Sequence, residues 1–105
     1  MAEVVWTEPA LADLDAIADY IALDNPSAAR TLVRNVFAHV DQLEAHPDSG
    51  SFPQDLSGKR YRHIVEPPCR VIYRHARKEG VVYVIHVRRG EQKLHRSKLR
   101  RGVKK

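Results

Sequence analysis

The spacing of apolar residues along this chain changes period twice. "AEVVW" (residues 2–6) is a β-branched and aromatic run that predicts a short strand. Leu11, Leu14, Ile17, Ala18 and Ile21 then recur three and four apart, the period of an amphipathic helix. Thr7 is placed to cap that helix, and Pro9 is tolerated in a first turn whose N–H groups have no intrahelical partner. Asp13, Asp15 and Asp19 fall largely off the stripe and read as an ordinary solvated face. A second stripe, Ala29, Leu32, Val33, Val36, Phe37, Val40 and Leu43, follows Asn25-Pro26 and ends before His46-Pro47. Asn25 is a good N-cap there, and Pro26 brings a preset φ to the first helical position. Two amphipathic helices joined by two or three polar residues pack as an antiparallel hairpin.

Residues 46–60 carry Pro, Gly, Ser and Asp without a period and read as a loop. Beyond them the strand-like runs are "RYRHIV" (60–65), "CRVIYRH" (69–75) and "VVYVIHV" (81–87), separated by Pro67-Pro68 and by "ARKEG". The order is β-α-α-β-β-β, an α+β fold with the helical hairpin packed on a small antiparallel sheet. Residues 1–105 form a single domain with a basic extension from about residue 90. Alternation places Arg70, Ile72 and Arg74 on one face of their strand and Val71 and Tyr73 on the other. If the helices cover Val71 and Tyr73, the arginines stand on the open face. Arg60, Arg62 and Ile64 likewise share a face, as do His86 and Arg88, while Tyr73 and Tyr83 have the parity of core residues.

Charge sharpens this picture. The net charge is +5, yet residues 1–58 hold two basic residues against ten acidic, a balance of −8. Residues 59–105 hold sixteen against three, a balance of +13. Such a split points to an acidic or polyanionic partner for the second half. The densest stretch is "HVRRGEQKLHRSKLRR" (86–101), whose only acid is Glu91. Arginine on a rigid strand is a good ligand for phosphate or carboxylate, because its fork is bidentate and permanently charged. Arg60, Arg62, Arg70, Arg74, Arg88, Arg89, Lys93 and Arg96 are therefore the candidate partner-binding residues.

The candidate chemistry is narrower. His63, His75, His86 and His95 all lie in the basic half, and His95 beside Arg96 is placed to move a proton in RNA cleavage. No Ser/His/Asp arrangement, Gly-rich phosphate loop or HExxH motif supports hydrolysis by a nucleophile or a metal. One cysteine, Cys69, excludes an intramolecular disulfide, and no Cys/His spacing suits zinc, so no cofactor is expected. There is no signal-peptide pattern, and the longest apolar run, residues 81–85, is too short for a bilayer; a cytoplasmic location is expected.

The motifs "W-x-x-x-A-L-x-D-L-x-x-I-x-x-Y-I-x-x-x-N-P-x-A-A" (6–29), "HPDSG" (46–50), "CRVIYR" (69–74) and "VYVIHVRRG" (82–90) together resemble the RelE/ParE superfamily of bacterial toxin–antitoxin toxins. The resemblance covers the chain from Trp6 to Gly90 and implies the same β-α-α-β-β-β fold. Two activities follow from it. ParE-type toxins bind DNA gyrase and trap its cleavage complex without catalysis; RelE-type toxins cleave mRNA on the ribosome. The long helices joined at Asn25-Pro26 are more similar to the ParE branch. Under the RelE alternative, Arg70 matches the strand arginine that holds the scissile phosphate, and Lys59 and Arg60 stand where catalytic lysines precede the central strands. Arg88 and Arg89 then match the basic residues ending the last strand. With no tyrosine beyond Tyr83, the catalytic set would be Arg70, Arg88 and His95. Either branch implies a cognate acidic antitoxin as partner.

Overall fold

The computed structural model describes residues 1–90. Its elements are β1 (Glu3–Trp6), α1 (Glu8–Ala22), α2 (Pro26–Asp41), a 3-10 turn (Gln42–Glu44), β2 (Arg62–Glu66), β3 (Cys69–Ala76) and β4 (Val81–Arg89). Both helices start as their sequences require. Thr7 Oγ1 accepts from the Ala10 N–H and Asn25 Oδ1 from the Ala28 N–H, each satisfying an end-of-helix donor. The α1 stripe is rotated slightly from the expected one. Ala10 and Leu14 are buried and Ile17 and Ile21 pack beside them, whereas Leu11 is 40% exposed.

The sheet order is β1-β4-β3-β2. The β2-β3-β4 meander is antiparallel as expected, and β1 joins β4 in parallel to make the four-stranded sheet mixed. The chain between β1 and β4 runs through both helices and the β2–β3 pair, so β4 arrives beside β1 in the same direction, which a two-residue hairpin could not do. Pro67-Pro68, joined by a cis bond, connects β2 to β3, and Gly80 closes the β3–β4 connection at φ +69°, a left-handed conformation open to glycine.

The helices cover one face of the sheet. Leu14, Leu32, Val36, Val40 and Leu43 meet Ile64, Val71, Tyr73, Val82, Val84 and Val87 in one core. Each fully buried side chain of this size contributes about 1.5–3 kcal/mol of transfer free energy. Trp6 and Phe37 seal its flank with ring centroids 4.8 Å apart. No helix among the described residues is long and apolar enough to cross a membrane.

One irregularity controls everything downstream of residue 84. Tyr73 pairs with Val84, but its neighbour Ile72 pairs with His86, so Ile85 is an extra residue in β4. Such a bulge reverses which face later side chains occupy. Val82 and Val84 point to the helices before it, and Val87 does so after it. Tyr83 therefore does not join the core as its parity suggested. It lies opposite Arg74 on the other face, half-exposed, with the Arg74 guanidinium 4.9 Å from its ring centroid.

Candidate partner-binding site

The seven arginines between residues 60 and 89 do not form one cluster. Arg70, Ile72 and Arg74 stand on the face away from the helices, as alternation required. Arg88 is the cross-strand partner of Arg70, and the bulge is what brings it to that face. Arg62, by contrast, pairs with Tyr73 and shares the core-side face. Arg89 pairs with Cys69 on that same side, its guanidinium 4.9 Å from the ring of Tyr20 on α1. Arg60 precedes β2 and lies over the ring of its neighbour Tyr61, and Lys59 lies 5.8 Å from the Phe52 ring. Lys93, His95 and Arg96 lie outside the described residues.

Arg62 belongs to a structural knot built on "HPDSG". Tyr73 is fully buried; its hydroxyl donates to the Pro47 carbonyl at 2.8 Å and accepts from the Gly50 N–H at 2.9 Å. Burial pushes the Tyr73 phenol up from its ordinary value, so it remains a neutral donor. A Cβ on Gly50 would lie 2.7 Å from both the His63 carbonyl and the Tyr73 hydroxyl, which is why only glycine fits. Arg62 donates to the Gly50 carbonyl at 2.8 Å and lies over the Phe52 ring at 4.2 Å. Asp48 closes the knot, hydrogen-bonded to His75 Nδ1 at 2.9 Å and Arg77 at 2.8 Å, with Arg62 at 3.6 Å. The His75 bond and then Arg77 hold the Asp48 carboxyl below its ordinary value of 3.8.

The open-face pair is different. Arg70 donates both terminal nitrogens to Asp55, at 3.0 and 3.1 Å, and its side chain is only 13% exposed. The loop after "HPDSG" thus folds back over the sheet, with Pro53 buried in it. Arg70's bidentate bond holds Asp55 below its ordinary pKa. His63 Nδ1 lies 3.4 Å from Arg70, and burial first, then the Arg70 charge, push the His63 imidazole down from 6.5. Arg70 Nε is buried without a hydrogen-bond partner among the described residues. Arg88 is exposed beside this closed pair.

Asp13 corrects another expectation. It is not merely solvated: its Oδ2 accepts from the Val87 backbone N–H at 3.1 Å and lies 3.3 Å from His86 Nδ1. Asp13, Ala16 and Ile17 of α1 and residues 86–88 of β4 line a shallow cleft around this contact. No spacing rule exposes such a bond, because its donor is a backbone group 74 residues away. The carboxylate of Asp55 was equally hidden in a loop without a period, whereas the quoted "HPDSG" did mark the Asp48 knot.

The chain matches, over residues 4–94, the family model described as the ParE toxin of the type II toxin–antitoxin system parDE. It is 38% identical over 88 residues to "Toxin RelE2" of Caulobacter vibrioides, spanning 84% of this chain and 94% of that protein. A solved structure titled "Chromosomal ParDE TA system from P. aeruginosa" contains a chain with a TM-score of 0.68 and 28% identity to this one. That match covers 85% of this chain and 96% of the other.

Proposed function

The chain belongs to the ParE toxin family of type II toxin–antitoxin systems, and from that premise we propose that it binds DNA gyrase and traps the cleaved DNA complex, without chemistry of its own. The observation that carries this reading is the contrast between Arg88, exposed on the open face, and its neighbour Arg70, whose fork is filled by Asp55. A nuclease of this superfamily needs that fork free for a scissile phosphate. A carboxylate in its place repels one, and the nearest imidazole, His63, is held neutral by burial and by Arg70. What remains accessible is a cationic edge of Arg88, with Arg74 stacked on Tyr83 farther along the same face. This edge suits docking on an acidic protein surface or a DNA backbone in the cytoplasm.

A second reading has its own support. The relative named RelE2 and the cross-strand adjacency of Arg70 and Arg88 favour a ribosome-dependent endoribonuclease in which Asp55 swings away and His95 moves the proton. Parallel assays separate the two. The gyrase reading expects drug-like accumulation of cleaved plasmid with purified gyrase and intact mRNA on programmed ribosomes. Cut transcripts with untouched gyrase would transfer the assignment to the nuclease. The partner in the module is an antitoxin whose acidic, amphipathic segment folds against this basic half. Its association rate is expected to fall as salt rises; a rate independent of ionic strength would sink that picture.

A further inference from the structure

We propose that α1 holds the β4 bulge from both sides, and that Asp13 is thereby the positioning residue that aims Arg88 at the target. The proposal deepens the gyrase reading and rests on it for the role of Arg88. Its geometry starts from the ladder. Up to Val84, β4 alternates regularly, with Val82 and Val84 toward the helices. Continued without interruption, that alternation would send His86 and Arg88 to the helix side and Val87 and Arg89 to the open face. The extra residue at Ile85 exchanges these fates, so that Val87 enters the core and Arg88 emerges opposite Arg70.

A bulge interrupts ladder hydrogen bonding, and the backbone groups beside it need partners. Both come from α1 and its cap. Thr7 donates its N–H and its Oγ1 to the Val84 carbonyl, at 3.2 and 2.7 Å, immediately before the extra residue. Asp13 accepts from the Val87 N–H at 3.1 Å, two residues after it. Thr7 and Asp13 thus bracket the bulge from one rigid element, and a slide of the extra residue in either direction would break one of these bonds. The carboxylate bond is charge-assisted, and with the Asp13 side chain 36% exposed solvent screens part of its strength. Asp13 touches no target in this scheme. It acts through the direction in which Arg88 points.

The test uses the full chain with Asp13→Ala, Asp13→Asn and Thr7→Val, each alone and combined with Arg88→Ala. Two readouts are needed: the concentration that gives gyrase-dependent DNA cleavage, and NMR of Val87 amide exchange with the cross-strand contacts of Arg70. Asp13→Ala is expected to speed Val87 exchange, displace Arg88 from its pairing with Arg70, and weaken potency about tenfold, the scale of one charge-assisted hydrogen bond. That loss should vanish in the Arg88→Ala background, since residues acting through one another are not additive. Asp13→Asn keeps an acceptor oxygen and should restore most of the pairing and potency. Thr7→Val should shift both readouts in the same direction as Asp13→Ala, less far. An unchanged Arg70–Arg88 pairing in Asp13→Ala, or a potency loss that simply adds to that of Arg88→Ala, overturns the proposal. Should the wild-type chain leave gyrase untouched, the target reading falls. The pairing readout then still decides whether Asp13 orients Arg88.

Discussion

Two groups of arginines lie within a few residues of each other in the sequence and do opposite work. Around Asp48, the side chains of Arg62, Arg77 and His75 turn inward to one carboxylate and fasten the "HPDSG" segment to the edge of the sheet. Around residue 88 the charge turns outward, with Arg70 closed on Asp55 and Arg88 left exposed beside it. Residue type does not distinguish the groups, since Arg62 in one and Arg70 and Arg88 in the other are all arginines on strands. The deciding variables are the face of the sheet and the presence of a loop carboxylate within reach. An arginine fastened to backbone and aromatic neighbours serves the fold. One that the ladder merely displays is available to a partner.

The sharpest break of this comparison is Gly50→Ala. Its Cβ would enter space already held by the His63 carbonyl and the Tyr73 hydroxyl. The expected loss is about 3 kcal/mol of stability, the upper range for overpacking a tight site. A urea midpoint within error of wild type would show that the knot is dispensable. Arg88→Ala should do the reverse. We expect about 2 kcal/mol less target affinity, as for an interface anchor, with stability unchanged to about 0.5 kcal/mol. Equal potency of variant and wild type on gyrase would remove Arg88 from the contact surface. Arg62→Ala tests whether Arg62 serves the fold alone. It loses the bond to the Gly50 carbonyl and the Phe52 ring contact, about 1.5 kcal/mol of stability, and should keep full target potency when folded. A potency loss without a stability loss would join the two groups into one surface.

Helix starts were legible because their signals are local: Thr7 and Asn25-Pro26 act on donors three residues away. The open-face placement of Arg70 and Arg74 was legible for a related reason, since β3 alternates without interruption. The bulge was not. "VVYVIHV" is apolar in both phases, so an extra Ile85 leaves no mark on the pattern, and Tyr83 was assigned to the core on that account. Arg62 shares a face with Ile64 as alternation required, but alternation within β2 does not say which face the helices cover; the pairing with Tyr73 and Val71 makes it the core side. Asp13 and Asp55 were invisible as site residues because their partners are distant in sequence.

Acid titration offers the gentlest probe of the contrast, because the outward group has a step below pH 6.5 at His63 in addition to the carboxylate step that both groups share. His63, beside Arg70, has its pKa lowered from 6.5 by burial first and by the Arg70 charge second. A base depressed in this way is protonated first in the unfolded chain, so its contribution is complete above pH 6.5 and declines as pH falls below it. Asp48 is lowered from 3.8, by His75 first, and its contribution is complete above that value and lost as pH falls through the lower folded one. Asp55 follows the same sign through Arg70. With its side chain 39% exposed, Asp48 is screened by solvent, and we expect less than about 1 kcal/mol from it. Urea midpoints measured near pH 7, 5 and 3 should therefore separate the regions. His63→Gln should flatten the decline between the first two points and spare the last. Asp48→Asn should do the opposite, reducing only the acid-limb loss and leaving the part that belongs to Asp55. If instead both variants flatten the same limb, the inward and outward arginine groups titrate as one network, and the division of labour between them dissolves.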